Sequence, residues 1–244
     1  MSDFEKQWQR RFERFATHHE AEHLVSGWSL VGLRRRMGLF EQLLDRGLLR
    51  SGARVLELGC GAGTYVRLLG KRGHSVVGLD YSLPTLFRAS AADPGRLGRY
   101  VAGGADTLPF ASGAFDAVIC IGVLQALERL EPVIGEIARV LAPQGIVLVE
   151  TLNPWDPLAT ARRLMAFRHG QQTKLRYGSP GRLARTMVEH GLRTRERYSI
   201  VLPPRSLAGA ADVLGRPWLQ RLLRLVPGAR GVASHAFWLV GSRP

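Results

Sequence analysis

A doubly wound, mostly parallel α/β sheet is the fold class this sequence predicts, and three observations predict it. Short apolar runs of strand length alternate with helical segments between residues 51 and 153. The first of those runs leads into a turn with glycine at 59, 61 and 63, the kind of turn that brings backbone close to a ligand at a strand end. With 244 residues, 45% of them apolar and 22% charged, the chain can bury the full core that such a sheet needs.

Residues 3–25 and 29–49 read as two helical segments broken near "SGW" at 26–28. Phe4, Trp8, Phe12 and Phe15 recur at helical spacing, the mark of a packed face. Arg54–Leu58 is a short apolar strand, Thr64–Arg72 a helix, and Ser75–Leu79 a strand ending at Asp80. Pro84–Ala92 is helical and Arg99–Ala102 a short strand. Phe115–Ile121 is a buried strand, Glu131–Leu141 a helix closed by "PQG", and Ile146–Thr151 the next strand. Residues 154–178 hold a helix and a loop. In "SPGRLARTMVEHGL", Ser179 caps a helix, Pro180 occupies its first turn and Gly191 stops it. Arg195–Leu202 and Ala236–Val240 are two further strands, and the long interval 203–234 between them must hold structure of its own.

Composition excludes several classes. No apolar run approaches the roughly 20 residues of a membrane helix; the longest, Ala117–Leu127, carries Gln125. The N-terminus alternates charge with aromatics and has no signal-peptide core, so a cytoplasmic location is expected. Cys60 and Cys120 are too few for a disulfide framework or a zinc site, and each ends an apolar run as a small buried side chain. The net charge of +14 is unevenly placed. Residues 1–50 carry 9 basic and 7 acidic side chains, residues 51–150 carry 9 and 9, and residues 151–244 carry 16 and 4. The C-terminal third therefore favours anionic partners.

The turn after the first strand is tested first against the dinucleotide fingerprint G-x-G-x-x-G, and it fails. Counted from Gly59 the third glycine falls on Thr64, and from Gly61 on Val66. What stands here is acid-x-G-x-G-x-G, with Glu57 leading. A carboxylate beside the turn suits a ligand with an ammonium or sulfonium group, the reverse of a phosphate cradle.

"VLELGCGAGTYVRLL", Asp80 about 20 residues on, "GGADTLPF", "FDAVICIGVLQAL" and "EIARVLAPQGIVLVETLNP" follow in order between residues 53 and 153. Together they resemble the Rossmann-like (class I) S-adenosylmethionine-dependent methyltransferases, nearest to the ubiquinone- and menaquinone-biosynthesis branch. The resemblance implies a seven-stranded sheet with the last strand antiparallel and S-adenosylmethionine as methyl donor. It implies one methyltransferase domain over 1–244: a helical cover at 1–50, a cofactor-binding core at 51–153, and substrate-side segments with the final strands at 154–244. Its cofactor-binding residues map to Glu57, Gly59, Gly61, Gly63, Asp80, Tyr81, Ala105, Asp106 and Ile121, with Asp80 accepting both ribose hydroxyls. No catalytic residue and no metal ligand are assigned.

The sequence departs from the pattern twice. Gly104 stands where members commonly have Asp or Asn facing the adenine amino group; either the Ala105 backbone or Asp106 substitutes, and Asp106 is otherwise a surface acid. Ala126 stands where many relatives have His, so a base, where one is needed, comes from elsewhere. Tyr65 either lines the methionine end or packs on the N-terminal helices. His18, His19 and His23 lie in the covering segment without the acid or cysteine spacing of a metal site.

The expected function is methyl transfer to a small acceptor of acidic, aromatic or lipid-linked character, with residues 1–50, 154–190 and 203–234 building its pocket. An RNA methyltransferase gripping phosphates with the basic tail, and a non-catalytic cofactor-binding module, are the alternatives. The strand-four end reads "CIGV", lacking the Pro-Pro-aromatic signature of exocyclic amino methylation and the Pro-Cys setting of pyrimidine C5 methylation. Nucleic acid therefore ranks lower. "PWLQRLLRLV" at 217–226, wound as a helix, sets Leu222 and Leu223 opposite Arg221 and Arg224. Such a helix packs on its own domain or meets an anionic membrane surface peripherally.

Overall fold

The computed structural model describes residues 3–18, 22–25, 28–156, 159–160, 164, 168, 175–202 and 234–244. The N-terminal helices α1 (Asp3–His18), α2 (Glu22–Val25) and α3 (Leu30–Asp45) precede β1 (Arg54–Leu58), α4 (Thr64–Lys71), β2 (Ser75–Asp80), α5 (Leu83–Ala91) and β3 (Gly98–Ala102). β4 (Phe115–Cys120), a 3₁₀ turn (Leu124–Ala126), α6 (Glu131–Val140), β5 (Leu141–Leu152), α7 (Pro180–Glu189), β6 (Arg193–Ile200) and β7 (Ala236–Ser242) follow.

The strands form one seven-stranded sheet in the order β3-β2-β1-β4-β5-β7-β6. β7 runs antiparallel to both β5 and β6, and the other four pairings are parallel. The chain winds outward from β1 to β3, then returns to place β4 on the other side of β1. That reversal opens a crevice beyond the C-terminal ends of β1 and β4, where an open α/β sheet holds its ligand.

Alternation along the strands sorts the core. Leu148 and Leu152 of β5 and Trp238 of β7 face Phe40, Tyr65 and Leu86 of α3, α4 and α5. Val147 and Val149, with Phe237 and Leu239, face Ile134 and Ile137 of α6 and Leu183 and Met187 of α7. Successive side chains of a strand point to opposite faces, so both faces can be covered by helices only where both parities are apolar. The predicted cap of α7 forms, with Ser179 Oγ accepting from the Arg182 amide at 3.1 Å and Gly191 at φ 77°.

Several boundaries differ from expectation, two of them for a clear physical reason. α3 ends at Asp45, because Gly47 turns the chain at φ 81°. α6 stops at Val140 and "PQG" does not separate it from the strand: Leu141 is already extended and pairs with Phe115. The register then shifts between Phe115 and Ala117, and Gln144 takes φ 64°. Arg243, beyond β7, donates to the carbonyls of Ala138 and Leu141 at 3.1 and 2.6 Å and so holds residues 142–145 as an irregularity within the strand. The helix expected within 154–178 falls mostly outside the described residues, as do most of 203–234 and all of the 217–226 helix; Ala159, Thr160, Leu164 and Arg168 are helical.

The N-terminal helices are joined to the sheet by a buried ion pair. Arg36 of α3 meets Glu150 of β5 through both ends of its guanidinium, Nε to Oε2 at 2.7 Å and Nη2 to Oε1 at 2.9 Å. Trp238 Nε1 donates to the same Oε2 at 2.6 Å, and Arg36 Nη1 also donates to the Gly32 carbonyl. Arg36 and Glu150 are 1% and 0% exposed, so neither charge has water to fall back on. Burial works to lower the Arg36 pKa, but the adjoining Glu150 carboxylate leaves it raised.

Arg36→Ala leaves the Glu150 carboxylate buried beside one indole, and removing one partner of a buried pair costs about 3–5 kcal/mol. Thermal unfolding should show a fall in Tm of about 10 °C, at roughly 2–4 °C per kcal/mol for a chain of this size. The double replacement Arg36→Met/Glu150→Leu should recover most of that loss.

Candidate active site

β1 delivers Glu57 and Leu58 to the crevice, and the chain then turns through Gly59, Gly61 and Gly63 at φ 73°, 52° and 74°. These are left-handed conformations that side chains with a Cβ adopt only under strain. Space reinforces this at Gly59, where a Cβ would lie 2.2 Å from Val123 Cγ2. The turn is hung on β2: the amides of Gly59 and Cys60 donate to the Leu79 carbonyl at 2.7 and 3.0 Å.

Two carboxylates flank the turn. Asp80 closes β2, its Oδ2 accepting from the Gly61 amide at 3.0 Å and its Oδ1 from the Ser82 amide at 2.9 Å. Glu57 accepts from the Val66 backbone amide in the first turn of α4, and its Oε2 is buried with no hydrogen-bond partner. Burial raises both pKa values, Glu57's well above the ordinary carboxylate range, with the charge of Asp80 adding to the effect. A buried carboxylate oxygen without a donor is costly unless a ligand supplies one.

These groups open into a cavity lined by eight of the nine residues assigned from the sequence: Glu57, Gly59, Gly61, Asp80, Tyr81, Ala105, Asp106 and Ile121. Gly63 stands behind it as the N-cap of α4, with Tyr100 against it. At Gly104 a Cβ would meet Asp106 Oδ1 at 2.8 Å. The Asp106 carboxylate therefore occupies the space that a side chain at 104 would fill. Ala126 lines the wall with a methyl group.

A cover from residues 1–50 was expected, but which of its side chains line the cavity was not legible in the sequence. α1 contributes Glu5, Trp8 and Phe12, and Val25, Trp28 and Leu33 extend the cover across the turn. Phe12 meets Tyr81 edge-on at 6.5 Å, and Glu5 Oε1 accepts from the Glu128 amide at 3.1 Å. Helical spacing of Trp8 and Phe12 shows that they face inward, but a packed core and a cavity wall demand the same spacing. Tyr65 does both: it packs edge-on against Phe40 at 5.2 Å and lines the cavity. The side-chain atoms Trp8 Nε1, Tyr65 Oη and Tyr81 Oη are buried without partners, and all three residues line the same cavity as Glu57.

Among the described lining residues four are acids, Glu5, Glu57, Asp80 and Asp106, and none is Lys, Arg or His. His23 does not line the cavity, and His19 and the His18 side chain lie outside the described set. Nor does any described residue of 151–244 line it, although 154–190 and 203–234 were expected to. The described residues contain no group of three or more side chains that could hold a metal ion.

Comparison with known proteins agrees with this geometry. Residues 56–149 match the family model described as a methyltransferase domain. An uncharacterized methyltransferase of Synechocystis sp. is 39% identical over 129 residues, covering 49% of this chain and 60% of that protein. The demethylmenaquinone methyltransferase of Thermus thermophilus is 36% identical over 115 residues, covering 46% and 52%. The chain thus spans about half the length of the curated relatives it matches. Among solved structures, the [4+2]-cyclase SpnF superposes with a TM-score of 0.67 at 19% identity, covering 98% of this chain and 97% of that one; at that identity the likeness speaks for the fold alone. Residues 56–149 are thus similar to a methyltransferase domain, and the sheet they help to build is of the Rossmann-like class.

The isolated Glu57 carboxylate predicts a trade between stability and binding. Its folded pKa lies above its unfolded value of about 4.3, so its stabilising contribution is complete below that value and is lost as pH rises through the folded pKa. In the ligand-free protein Glu57→Gln should therefore raise Tm at neutral pH and above, by roughly 2–4 °C per kcal/mol relieved. The difference should vanish near pH 4, a trend that thermal unfolding across pH measures directly.

Proposed function

We propose that this protein transfers a methyl group from S-adenosylmethionine to a small aromatic or lipid-linked acceptor. The observation that carries the reading is the pair of buried carboxylates at adjacent strand ends, one with an unpartnered oxygen, opening into an aromatic-walled cavity. Glu57 would meet the ammonium of the donor, Asp80 its ribose hydroxyls, and Tyr81, Ala105, Asp106 and Ile121 its adenine. Gly59 and Gly61 would give the backbone close approach. The orphaned Glu57 oxygen and the wholly acidic set of charged lining residues fit a cationic ligand and would repel a phosphate. When bound, the donor supplies an electrophilic methyl on a sulfonium.

The protein's own part is to hold an acceptor in line with that methyl and keep water away, which proximity and orientation can largely supply. Trp8, Phe12, Trp28 and Tyr65 provide the dry wall, with Trp8 Nε1–H and Tyr65 O–H as neutral donors for an acceptor oxygen. Of the three acceptor types expected from the sequence, the acidic one finds no cation among the described lining residues. The domain arrangement over 1–244 is proposed on the same basis, with 1–50 as roof and 51–153 as the donor site.

The reading is tested by calorimetric titration with S-adenosylhomocysteine and by transfer of labelled methyl from S-adenosylmethionine to a panel of phenols, quinols and amines. Asp80→Ala removes charge-assisted hydrogen bonds worth about 1.5–3 kcal/mol each and frees the Gly61 amide. A folded Asp80→Ala protein that binds S-adenosylhomocysteine as tightly as the parent would overturn the site assignment.

Asp106 separates the two roles left open for it. If its carboxylate stands in for the side chain missing at Gly104, Asp106→Ala should weaken S-adenosylhomocysteine binding by about tenfold, the worth of one hydrogen bond to a charged group. Sinefungin and other ligands that keep the adenine should lose equally, while analogues lacking the adenine amino group should lose little. Equal affinity of both proteins for S-adenosylhomocysteine would return Asp106 to the solvent surface.

A further inference from the structure

Among the described residues the large apolar side chains left exposed are Leu30, Leu83, Phe87, Trp155, Leu164 and Val188. Singly such residues mean nothing. Four of the six, however, belong to segments that begin at one end of the molecule, the C-terminal edge of the sheet where the cavity lies. Leu83 begins α5 three residues after Asp80, and Phe87, 72% exposed, stands one turn further along the same side of that helix. Leu30 begins α3 two residues after Trp28, whose ring lies against Gly122 of the cavity wall. Trp155, 73% exposed, sits in a turn after β5 that Asn153 makes rigid: Oδ1 accepts from the Trp155 amide at 3.0 Å, and Nδ2 donates to the Ser234 carbonyl at 2.7 Å. Nothing in local folding requires an indole to be held in water by a buried amide.

The same end carries a cationic row. Lys6, Arg10 and Arg14 recur every fourth residue along the outer face of α1 and are exposed. The opposite face of that helix supplies Trp8 and Phe12 to the cavity roof. α1 packs beside α5, the helix that carries Leu83 and Phe87. Arg34 and Arg176 are also exposed. Behind them stands the net charge of +14 on the whole chain.

We propose that this edge docks onto an anionic lipid surface, with Phe87, Leu83 and Trp155 entering the headgroup region and the α1 cations meeting lipid phosphates, so that α1 lies between the cavity and the bilayer. Exposed aromatics flanked by Arg and Lys are the composition of a membrane-interface belt. A nucleic acid would use the cations but leave Leu30 and Leu83 without a partner. The docking is peripheral, since no described helix is long and apolar enough to cross a membrane. The inference rests on the proposed function only for what would enter the cavity; docking itself is read without methyl transfer.

The test is sedimentation of the full chain with vesicles of phosphatidylcholine alone or mixed with phosphatidylglycerol. The protein should partition onto the mixed vesicles and stay in solution with phosphatidylcholine alone. Phe87→Ser and Trp155→Ser should each weaken partitioning by about tenfold, and Lys6→Ala and Arg10→Ala by about fivefold each. S-adenosylhomocysteine affinity should be unchanged in Phe87→Ser and Trp155→Ser, which separates failure of docking from failure of the donor site. Brominated lipids should quench part of the tryptophan fluorescence, and that part should disappear in Trp155→Phe, a change small enough to leave the fold intact. Absence of partitioning at low salt, equal partitioning onto neutral vesicles, or variants that partition like the parent would each overturn the proposal. So would capture of an acidic protein by this face without vesicle binding.

Discussion

The bidentate contact between Arg36 and Glu150 is the constraint on which the architecture of the site depends. Glu150 lies near the end of β5, on the face that meets α3, and Trp238 of β7 shares its carboxylate. The Arg36 guanidinium also stacks on the Trp28 ring, 4.7 Å from its centroid. Trp28 in turn lies so close to Gly122 that a Cβ there would be 2.5 Å from Trp28 Cζ2. A continuous chain of contacts thus runs from the middle of the sheet, through a buried charge, to the roof and wall of the cavity. Apolar packing alone could let α3 slide or rotate by small amounts. A planar guanidinium with two partner oxygens cannot move without losing hydrogen bonds that have no replacement in a dry core.

The second organising feature is the separation of charge. The cavity is lined by carboxylates, while the outer face of its roof and the C-terminal third are rich in arginine. In a low-dielectric pocket a few acids dominate the local potential even when the whole chain is strongly cationic, because the surface charges are screened by solvent and the buried ones are not. The same molecule can therefore attract an anionic surface on its outside and a cationic ligand within. Asp80 stands in two places in this arrangement: it accepts from the amides of Gly61 and Ser82, which shapes the turn, and it lines the cavity.

How much was legible in the sequence varies with the kind of residue. The strands, the glycine turn, Glu57 and Asp80 could be read because each follows from local rules: alternation, the need for left-handed backbone, an acid at a strand end. Asp106 could not be decided, since whether its carboxylate reaches the space beside Gly104 depends on how residues 103–106 fold back on themselves. The boundary of α6 was misplaced because Leu141 is apolar and helix-compatible, while its extended conformation is imposed by pairing with Phe115 and by Arg243 from the far end of the chain. The role of Trp8, Phe12 and Trp28 was hidden for a different reason. An inward-facing aromatic has the same spacing whether it meets a core or a cavity.

By itself, then, the sequence determined the fold class, the order of elements through β5, the glycine turn after the first strand, and the acids at two strand ends. These depend on residues near one another in the chain, where periodicity and turn chemistry act. Only the tertiary structure decided that α3 is fastened to the sheet by Arg36 and Glu150, 114 positions apart. It likewise decided which side chains of the N-terminal cover line the cavity, Trp8, Phe12 and Trp28 among them, and that one oxygen of Glu57 is left buried without a donor. Those are outcomes of which side chains come to share a dry space, and no local pattern encodes where water is excluded.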